Sequence, residues 1–123
     1  MDNPLQNIKS AVLLVDGDAP DCAEVSAKAE EYFRGKGISL KLYPVRRKRL
    51  LRCDRQADLF ISLLPEKSFN LRMAARRSLA PFKIGRFPMG EKVFDIIVSA
   101  PEGTEAGQVE IFALMTEIMD KIK

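Results

Sequence analysis

The sequence contains no histidine, and histidine is the side chain that proteins use most often as a general base near neutral pH and as a zinc ligand. Nucleophile pairs of the Ser-His and Cys-His kinds are excluded for the same reason. Cysteine is also scarce, because only Cys22 and Cys53 are present. Two cysteines are too few for a disulfide framework and lack metal-ligand spacing, so we expect both to be free thiols.

Long apolar runs are missing as well. The longest uncharged apolar stretches, such as Ala11–Val15 and Ile96–Ala100, are strand-sized and fall far short of the ~20 residues of a spanning helix. The first residues, Met1 to Pro4, show no basic region followed by an apolar run, so no signal peptide is predicted. We therefore expect a cytoplasmic protein without a membrane span.

The length of 123 residues suffices for one hydrophobic core but not for two independent ones. The composition, with 46% hydrophobic and 30% charged residues, is that of a folded globular chain. Internal repeats and low-complexity linkers are absent from the sequence. A single domain over residues 1–123 is therefore predicted.

Five segments have the hydrophobicity pattern of β-strands, either apolar throughout or alternating between apolar and polar residues. The first is apolar throughout, as expected of a central strand that is buried on both faces, and it ends at the turn Asp16-Gly17-Asp18. The second alternates and is closed by Pro44, which is typical of an edge strand. The five segments are Ala11–Val15, Ile38–Tyr43, Leu59–Leu64, Phe82–Phe87 and Val93–Ser99.

A helix is predicted between the first two strands. Asp18 or Ala19 can cap it, with Pro20 in its first turn, because these residue types favour helix starts. Apolar residues then recur at helical spacing until Gly35 and Gly37, where we expect the helix to stop.

Two further helices follow from the same periodicity. One runs from about Asn70 to Ala80, and the other is capped by Thr104 near the end of the chain. Strands that alternate with helices imply right-handed parallel crossovers. We therefore predict a three-layer α/β sandwich of about five mostly parallel strands and about three helices, of flavodoxin-like or Rossmann-like type. The last helix has one apolar stripe, made of Val109, Phe112, Met115, Ile118, Met119 and Ile122.

Charge is distributed unevenly along the chain, although the net charge is only +3. The segment from Pro44 to Phe87 carries 12 Lys/Arg against 3 Asp/Glu, whereas the rest carries 8 against 14. Clustered cations attract the phosphates of nucleic acids, nucleotides or lipid head groups. The predicted anion-binding residues are Arg46, Arg47, Lys48, Arg49, Arg52, Arg72 and Arg76.

The basic residues also have a simpler interpretation, in which they only solvate a short connection and the outer face of a helix. Nucleic acid is a possible partner without a supporting motif, because the basic run contains no aromatic residue to stack a base. Helix-turn-helix and RNA-recognition signatures are absent from the sequence too. Both interpretations stay open at this point.

A ligand crevice is expected at the carboxyl ends of the strands, where neighbouring crossovers diverge. It would lie between Asp16-Gly17-Asp18 and the loop that contains Ser68 and Asn70. Asp16 and Asp18 could hold Mg²⁺, since hard cations take oxygen ligands. Ser68 and Asn70, near a helix start, could present backbone N–H groups to a phosphate. The alternative is that the two carboxylates shape the turn and that Ser68 and Asn70 cap a helix. Neither a metal nor a cofactor is assigned.

Two further polar residues are ambiguous. Cys53 has Arg52 and Arg55 beside it, and nearby cations lower the pKa of a thiol, yet no resolving cysteine or partner base can be named. Asp95 lies inside the last predicted strand, where it is either an inward-facing paired carboxylate or a residue on an exposed face. The sequence does not choose between these roles.

The stretch Ala11–Gly37 resembles the opening of response-regulator receiver domains, because Val15-Asp16-Gly17-Asp18 is similar to the acidic pair after their first strand. The resemblance implies a phospho-accepting aspartate at the end of the third strand, where this chain has Ser62 or Leu63. Ser99 is similar to the later Ser/Thr strand end of the family, but no further strand with its lysine follows. We therefore expect shared sheet geometry without phosphotransfer.

Residues 57–87 resemble the acceptor half of heptosyltransferase-type glycosyltransferases. The likeness is carried by Asp58–Leu63, by Asn70-Leu71-Arg72 at a helix start and by Phe82–Phe87. Those enzymes need a second Rossmann-like domain for the nucleotide sugar, and this chain has no room for one. The resemblance therefore implies a local fold and not a glycosyl transfer.

Nearly the whole chain resembles a family of short bacterial α/β proteins of unknown function. The matching segments are Ile8-Lys9 before the first strand, Asp58–Leu63, Phe82–Arg86 and Phe94–Val98, followed by the C-terminal helix. The family supplies no catalytic residue to carry over. Its members have a longer connection after the second strand, so the short basic segment is a departure.

Three functional hypotheses follow. The first is a non-catalytic binding or adaptor domain whose basic surface meets an anionic ligand or protein partner. The second is a small-molecule or Mg²⁺-dependent enzyme that uses Asp16 and Asp18 together with the loop from Pro65 to Asn70. The third is a subunit of a homo-oligomer, in which the apolar edge around Phe82, Ile84 and Phe87 pairs with another chain.

Overall fold

The structure is a computed structural model, and it describes residues 8–45, 56–64, 75–86, 94–98 and 107–121. Residues 75–77, between the third and fourth strands, are helical. The remaining elements follow in the order β1 (Ser10–Asp16), α1 (Cys22–Gly35), β2 (Ser39–Val45), β3 (Leu59–Ser62), β4 (Phe82–Gly85), β5 (Ile96–Ile97) and α2 (Gln108–Lys121).

All five strands run parallel in one sheet, in the order β2-β1-β3-β4-β5. The second strand lies at an edge, as predicted, and it continues through Pro44 to Val45. An edge strand tolerates proline because one side of its backbone needs no partner. The middle of the sheet belongs to β3, so the prediction that the first strand is central was wrong. Both β1 and β3 are interior strands. An apolar sequence therefore indicates that a strand is buried, but it does not indicate the position of the strand within the sheet.

The core is divided into two clusters, one on each face of the sheet, because side chains alternate along a strand. Leu13 of β1 packs on the side of the sheet that carries Phe33 of α1 and Met115 of α2. Leu14 faces the opposite side, where Ala75 belongs to the helical residues 75–77. Helical residues therefore cover both faces, and the predicted three-layer α/β fold is confirmed. Neither α1 nor α2, in the part of the chain described, is long and apolar enough to cross a membrane.

Two aspartates stabilise the amino ends of the strands in the same way. Asp58 precedes β3, and its Oδ2 accepts hydrogen bonds from the backbone N–H of Lys9 at 2.8 Å and of Ser10 at 3.3 Å. Asp95 precedes β5, and its Oδ2 accepts from the backbone N–H of Lys83 at 2.7 Å. Asp95 is exposed, so the interpretation as an inward-facing carboxylate is wrong and the interpretation as an exposed residue is correct. Its side chain also makes the structural hydrogen bond to Lys83.

Helix α1 ends where the two glycines predicted it would. Its last residue is Gly35, and Gly37 has a positive φ of 71°. The N–H of Gly37 donates to the carbonyl of Arg34 at 3.1 Å, and the N–H of Ile38 donates to that of Phe33 at 2.9 Å. These two bonds form a Schellman motif, which satisfies carbonyls at the helix end and favours glycine at this position.

The predicted start of α1 was wrong, because the helix begins at Cys22, after Pro20 and not around it. The residue in the capping position is Asp21, whose side chain makes no capping bond to its own helix. Asp18 belongs instead to a turn, in which its N–H donates to Oδ1 of Asp16 at 3.0 Å. The residue types predicted a start within this loop, but because residues 16–19 form a turn, the helix starts later in the sequence than predicted.

Strand β5 is shorter than predicted, since only Ile96 and Ile97 pair with β4. β4 is therefore an interior strand, with Ile84 fully buried. Phe82 and Ile84 therefore belong to an interior strand, and their predicted position at an edge of the sheet was wrong. The homo-oligomer itself stays a prediction. Phe87 lies outside the described residues.

The C-terminal helix is confirmed, and most of its predicted apolar stripe is buried. Phe112, Met115 and Met119 are in the core, and Ile111 joins them although the stripe did not include it. Val109 and Ile118 pack on the core partly buried, whereas Ile122 and the predicted cap Thr104 lie outside the described residues.

Candidate functional site

The carboxyl edge of β1 and β3 is the place where a ligand was predicted. The two strands are neighbours, and β2 lies on the other side of β1. The connection that leaves β1 therefore leads to one side of the sheet, whereas the connection that leaves β3 leads to the other. Doubly wound sheets bind ligands at such switch points. Asp16, Gly17 and Asp18 are all at this edge, whereas Ser68 and Asn70 lie outside the described residues.

Asp16 is the last residue of β1, and its side chain shapes the turn that follows. Its Oδ1 accepts from the N–H of Asp18 at 3.0 Å, and its carbonyl accepts from the N–H of Ala19 at 3.3 Å. The N–H of Gly17 donates to the carbonyl of Val45 at 2.9 Å, which joins the turn to the end of β2. This geometry supports the interpretation in which Asp16 forms the turn.

Gln108, the first residue of α2, lies over the end of β1. It is only 2% exposed. Its Oε1 accepts from the N–H of Asp16 at 2.7 Å, while its Nε2 donates to the carbonyl of Asp16 at 3.3 Å and to Oδ1 of Asp21 at 3.0 Å. Buried amides need such partners, and here each polar atom of the side chain has one. The side chain of Gln108 thus hydrogen-bonds both backbone polar groups of Asp16, the last residue of β1.

Asp21 caps a helix that is distant from it in sequence. Its Oδ2 accepts from the backbone N–H of Gln108 at 2.8 Å and of Val109 at 3.4 Å. These are two of the N–H groups that the first turn of α2 leaves without an intrahelical acceptor. The position of Gly107 is equally close, since a Cβ there would lie 2.8 Å from Oδ2 of Asp21. The carboxylate therefore occupies the positive end of the helix dipole.

Arg86 follows β4 and supplies a positive charge at the same edge. Its Nη1 donates to the carbonyl of Leu63, just after β3, at 3.2 Å. Partial burial lowers the pKa of the guanidinium from its ordinary value, and the charge of Asp21 acts in the opposite direction. An arginine remains protonated under such shifts, so Arg86 offsets part of the negative charge of the aspartates.

A metal centre receives no support from the described residues. Nowhere among them do three His, Cys, Asp or Glu side chains come together as a metal-binding group. Asp16 and Asp18 alone offer two carboxylates, and the Oδ1 of Asp16 already accepts a hydrogen bond. Mg²⁺ takes near-octahedral oxygen coordination and is held in proteins by one or two carboxylates together with waters or substrate phosphates. The magnesium hypothesis stays a prediction.

Of the predicted anion-binding residues, Arg76 is the one that lies among the described residues. Arg76 is exposed, on the outer side of helical residues whose neighbour Ala75 is fully buried. This exposure agrees with both interpretations of Arg76, anion binding and solvation of the outer face of a helix, so its role stays a prediction. The other predicted residues of this surface, Arg46, Arg47, Lys48, Arg49, Arg52 and Arg72, lie outside the described residues, as does Cys53.

A groove of about 470 Å³ lies between α1 and α2, and none of the predicted ligand-binding residues lines it. Tyr32 and Gly35 line it on one side, and Val109 and Phe112 on the other. The rings of Tyr32 and Phe112 meet edge to face at 6.0 Å between centroids. The groove is apolar for most of its surface, and the polar residues Lys28, Glu31 and Thr116 also line it.

Sequence reasoning missed three residues of the carboxyl edge, Asp21, Gln108 and Arg86. Asp21 had a detectable signal, since an aspartate shortly before an apolar periodic run favours a helix start. Gln108 and Arg86 had none, because their partners come from other elements of the fold.

No family model matches the chain, and no curated protein or solved structure matches it either. The resemblances to receiver domains, to heptosyltransferase-type enzymes and to the short bacterial family therefore stay predictions.

Proposed function

We propose that the protein is a non-catalytic binding domain whose basic surface meets an anionic, phosphate-bearing partner. The observation that carries the proposal is the segregation of charge, with 12 Lys/Arg against 3 Asp/Glu between Pro44 and Phe87. Such a local excess of cations attracts polyanions and releases their counterions on binding.

The carboxyl edge of the sheet favours binding over catalysis. Carboxylates that act as bases or metal ligands need access to a substrate. Here Asp16 forms a turn, Asp21 caps α2, and Gln108 fills the space over the end of β1. Asp16, one of the two aspartates of the enzyme hypothesis, thus has a structural hydrogen bond, and so do its neighbours Asp21 and Gln108.

We also propose the flavodoxin-like type for the fold, because the strand order 2-1-3-4-5 is the one that characterises it. The cytoplasm is the proposed location. Cys22 is a free thiol, as is usual in a reducing compartment.

Binding of inorganic polyphosphate to two charge-matched variants tests the function. One variant replaces Arg46, Arg47, Lys48 and Arg49 by glutamine. The control replaces four exposed cations elsewhere by glutamine, and so lowers the net charge equally. We expect the first variant to lose about tenfold or more in affinity and the control to lose about twofold or less. An equal loss in both, or no loss in the first, contradicts the proposal. The control positions are Lys9, Lys28, Arg34 and Lys121.

A further inference from the structure

Leu79, just after the helical residues 75–77, holds an apolar side chain in solvent. It is 65% exposed, more than any other large apolar side chain in the described part of the chain. The residues on either side of it, Ser78 and Ala80, are buried, and the N–H of Ala80 donates to Oγ of Ser78 at 3.2 Å. Arg76, three positions earlier, is exposed as well. Arg76 and Leu79 therefore form an apolar and cationic projection on an anchored backbone, which we call the Leu79 projection.

The groove between α1 and α2 is complementary to this projection in size and polarity. Its lining includes the rings of Tyr32 and Phe112, which contact each other, while the hydroxyl of Tyr32 is bonded to Asp120. None of these interactions has to break for the groove to be filled, because its volume of about 470 Å³ is space between the two helices. Gly35 and Ala113 also line it and are exposed, so small residues leave the groove accessible from solvent. A leucine side chain fits into that volume.

Carboxylates outnumber cations around the groove. Glu31 lines it on α1, together with Lys28, the one cation among its lining residues. On α2, Glu110 and Glu117 are exposed and lie three positions before and four positions after Ala113, so they flank Ala113 on the helix surface. The three glutamates, which we call the acidic rim, give the groove a charge opposite in sign to that of the Leu79 projection.

The Leu79 projection and the groove lie on opposite faces of the sheet. Ala75 and Ala80, on either side of the projection in sequence, pack in the cluster of Leu14. The groove lies over the other cluster, to which Phe33 and Phe112 belong. One molecule therefore cannot place its projection in its own groove, whereas two molecules can meet through these two surfaces.

We propose that the groove between α1 and α2 receives Leu79 from a second copy of this chain, with Arg76 of that copy beside the acidic rim. The inference goes beyond the proposed function and does not depend on it. Because the two surfaces differ and lie on opposite faces, each added copy leaves one groove and one projection free. Such head-to-tail contacts build open chains or closed rings. A contact of this small size associates weakly.

Sedimentation velocity of the wild-type protein between about 10 μM and about 1 mM measures the association. We expect the weight-average sedimentation coefficient to rise with concentration. Leu79→Glu should lower the association constant about tenfold or more, because it removes the apolar burial and brings a carboxylate to the acidic rim. Leu114→Glu is the matched control, since Leu114 is an exposed leucine of α2 that does not line the groove. It should change the association constant by about twofold or less.

A mixture of two variants tests the head-to-tail geometry. Ala113→Arg places a cation in the groove and leaves the Leu79 projection intact, whereas Leu79→Glu leaves the groove intact. Each variant alone should associate about tenfold or more weakly than the wild type. The equimolar mixture should form one-to-one dimers with an association constant close to that of the wild type, and it should grow no further. Absence of association in the mixture overturns the inference.

Both substituted positions are exposed, so we expect the variants to fold, and far-UV circular dichroism checks this. If Ala113→Arg does not fold, Gly35→Arg fills the groove from α1, where the position of a Cβ has open space around it. A wild-type protein that stays monomeric at all these concentrations overturns the inference. So does association that Leu79→Glu leaves unchanged, or a loss that Leu114→Glu shares equally. Polyphosphate binding is a separate measurement, so these results leave the proposed function standing.

Discussion

The carboxylate of Asp21 accepts a hydrogen bond from the backbone N–H of Gln108 at 2.8 Å, across 87 positions of sequence. The residue before α1 thus caps α2, and the side chain of Gln108 returns a bond to the same carboxylate at 3.0 Å. The two helices are joined through their first turns, directly above the end of β1.

Replacing Asp21 by alanine should destabilise the fold. The substitution removes the acceptor for the N–H groups of Gln108 and Val109, and loss of such a cap costs about 1–2 kcal/mol. Urea unfolding measures the change. Glu30→Ala on the exposed side of α1 is the control, with an expected change of about 0.5 kcal/mol or less. Equal destabilisation by the two variants would show that the cap contributes nothing.

Gln108→Leu should also destabilise the fold, because it leaves the N–H of Asp16 without its acceptor and removes one of the two donors to the carbonyl of Asp16. The expected loss is about 1–3 kcal/mol. Gln108→Glu retains an acceptor for the N–H of Asp16 but brings a second carboxylate to Asp21. Its destabilisation relative to wild type should therefore shrink as the pH falls and the introduced carboxyl becomes protonated. A pH-independent difference in unfolding free energy would contradict this arrangement.

The two glycines at the end of α1 should respond to alanine with opposite signs. Gly37→Ala places a Cβ on a backbone with a positive φ of 71°, which should lower the free energy of unfolding by about 1 kcal/mol. Gly35 is helical, with open space around the position of a Cβ, so Gly35→Ala should be neutral or stabilising by up to about 1 kcal/mol. Thermal unfolding of both variants separates these effects. A Gly37→Ala variant that is more stable than Gly35→Ala would contradict the helix end described above.

The hydroxyl of Tyr32 predicts a dependence of stability on alkaline pH. Burial, and then the hydrogen bond and charge of Asp120, raise its pKa above the ordinary value of 10.0. Because the folded pKa is the higher one, the unfolded chain loses this proton first, so the stability contributed by neutral Tyr32 is present below about pH 10 and is lost above it. The unfolding free energy of wild type should fall more steeply above pH 10 than that of Tyr32→Phe. An equal dependence of the unfolding free energy on pH in the two proteins would contradict the raised pKa of Tyr32.

Sequence patterns predicted those parts of the fold that depend on local chemistry. The apolar run of β1, the alternation of β2 and the stop at Gly37 were all read correctly, because burial and backbone conformation select residue types directly. The start of α1 and the position of β1 in the sheet were not, because they depend on partners elsewhere in the fold. Asp21 and Gln108 show why, since neither residue indicates by itself that the other is its partner.

The candidate site was predicted in outline. Asp16 and Asp18 do lie at the carboxyl edge of the sheet, where parallel strands present their ends. Their hydrogen bonds favour the structural interpretation, which the residue types alone left open.

The most direct test of the proposed function is the salt dependence of polyphosphate binding by the wild-type protein. Each phosphate that a cation neutralises releases a counterion, so the logarithm of the association constant should fall linearly with the logarithm of the salt concentration. With four or more cations of the segment that begins at Arg46 engaged, the slope should be about −3 or steeper. A slope near zero would contradict the claim that this basic segment binds the phosphates of a partner.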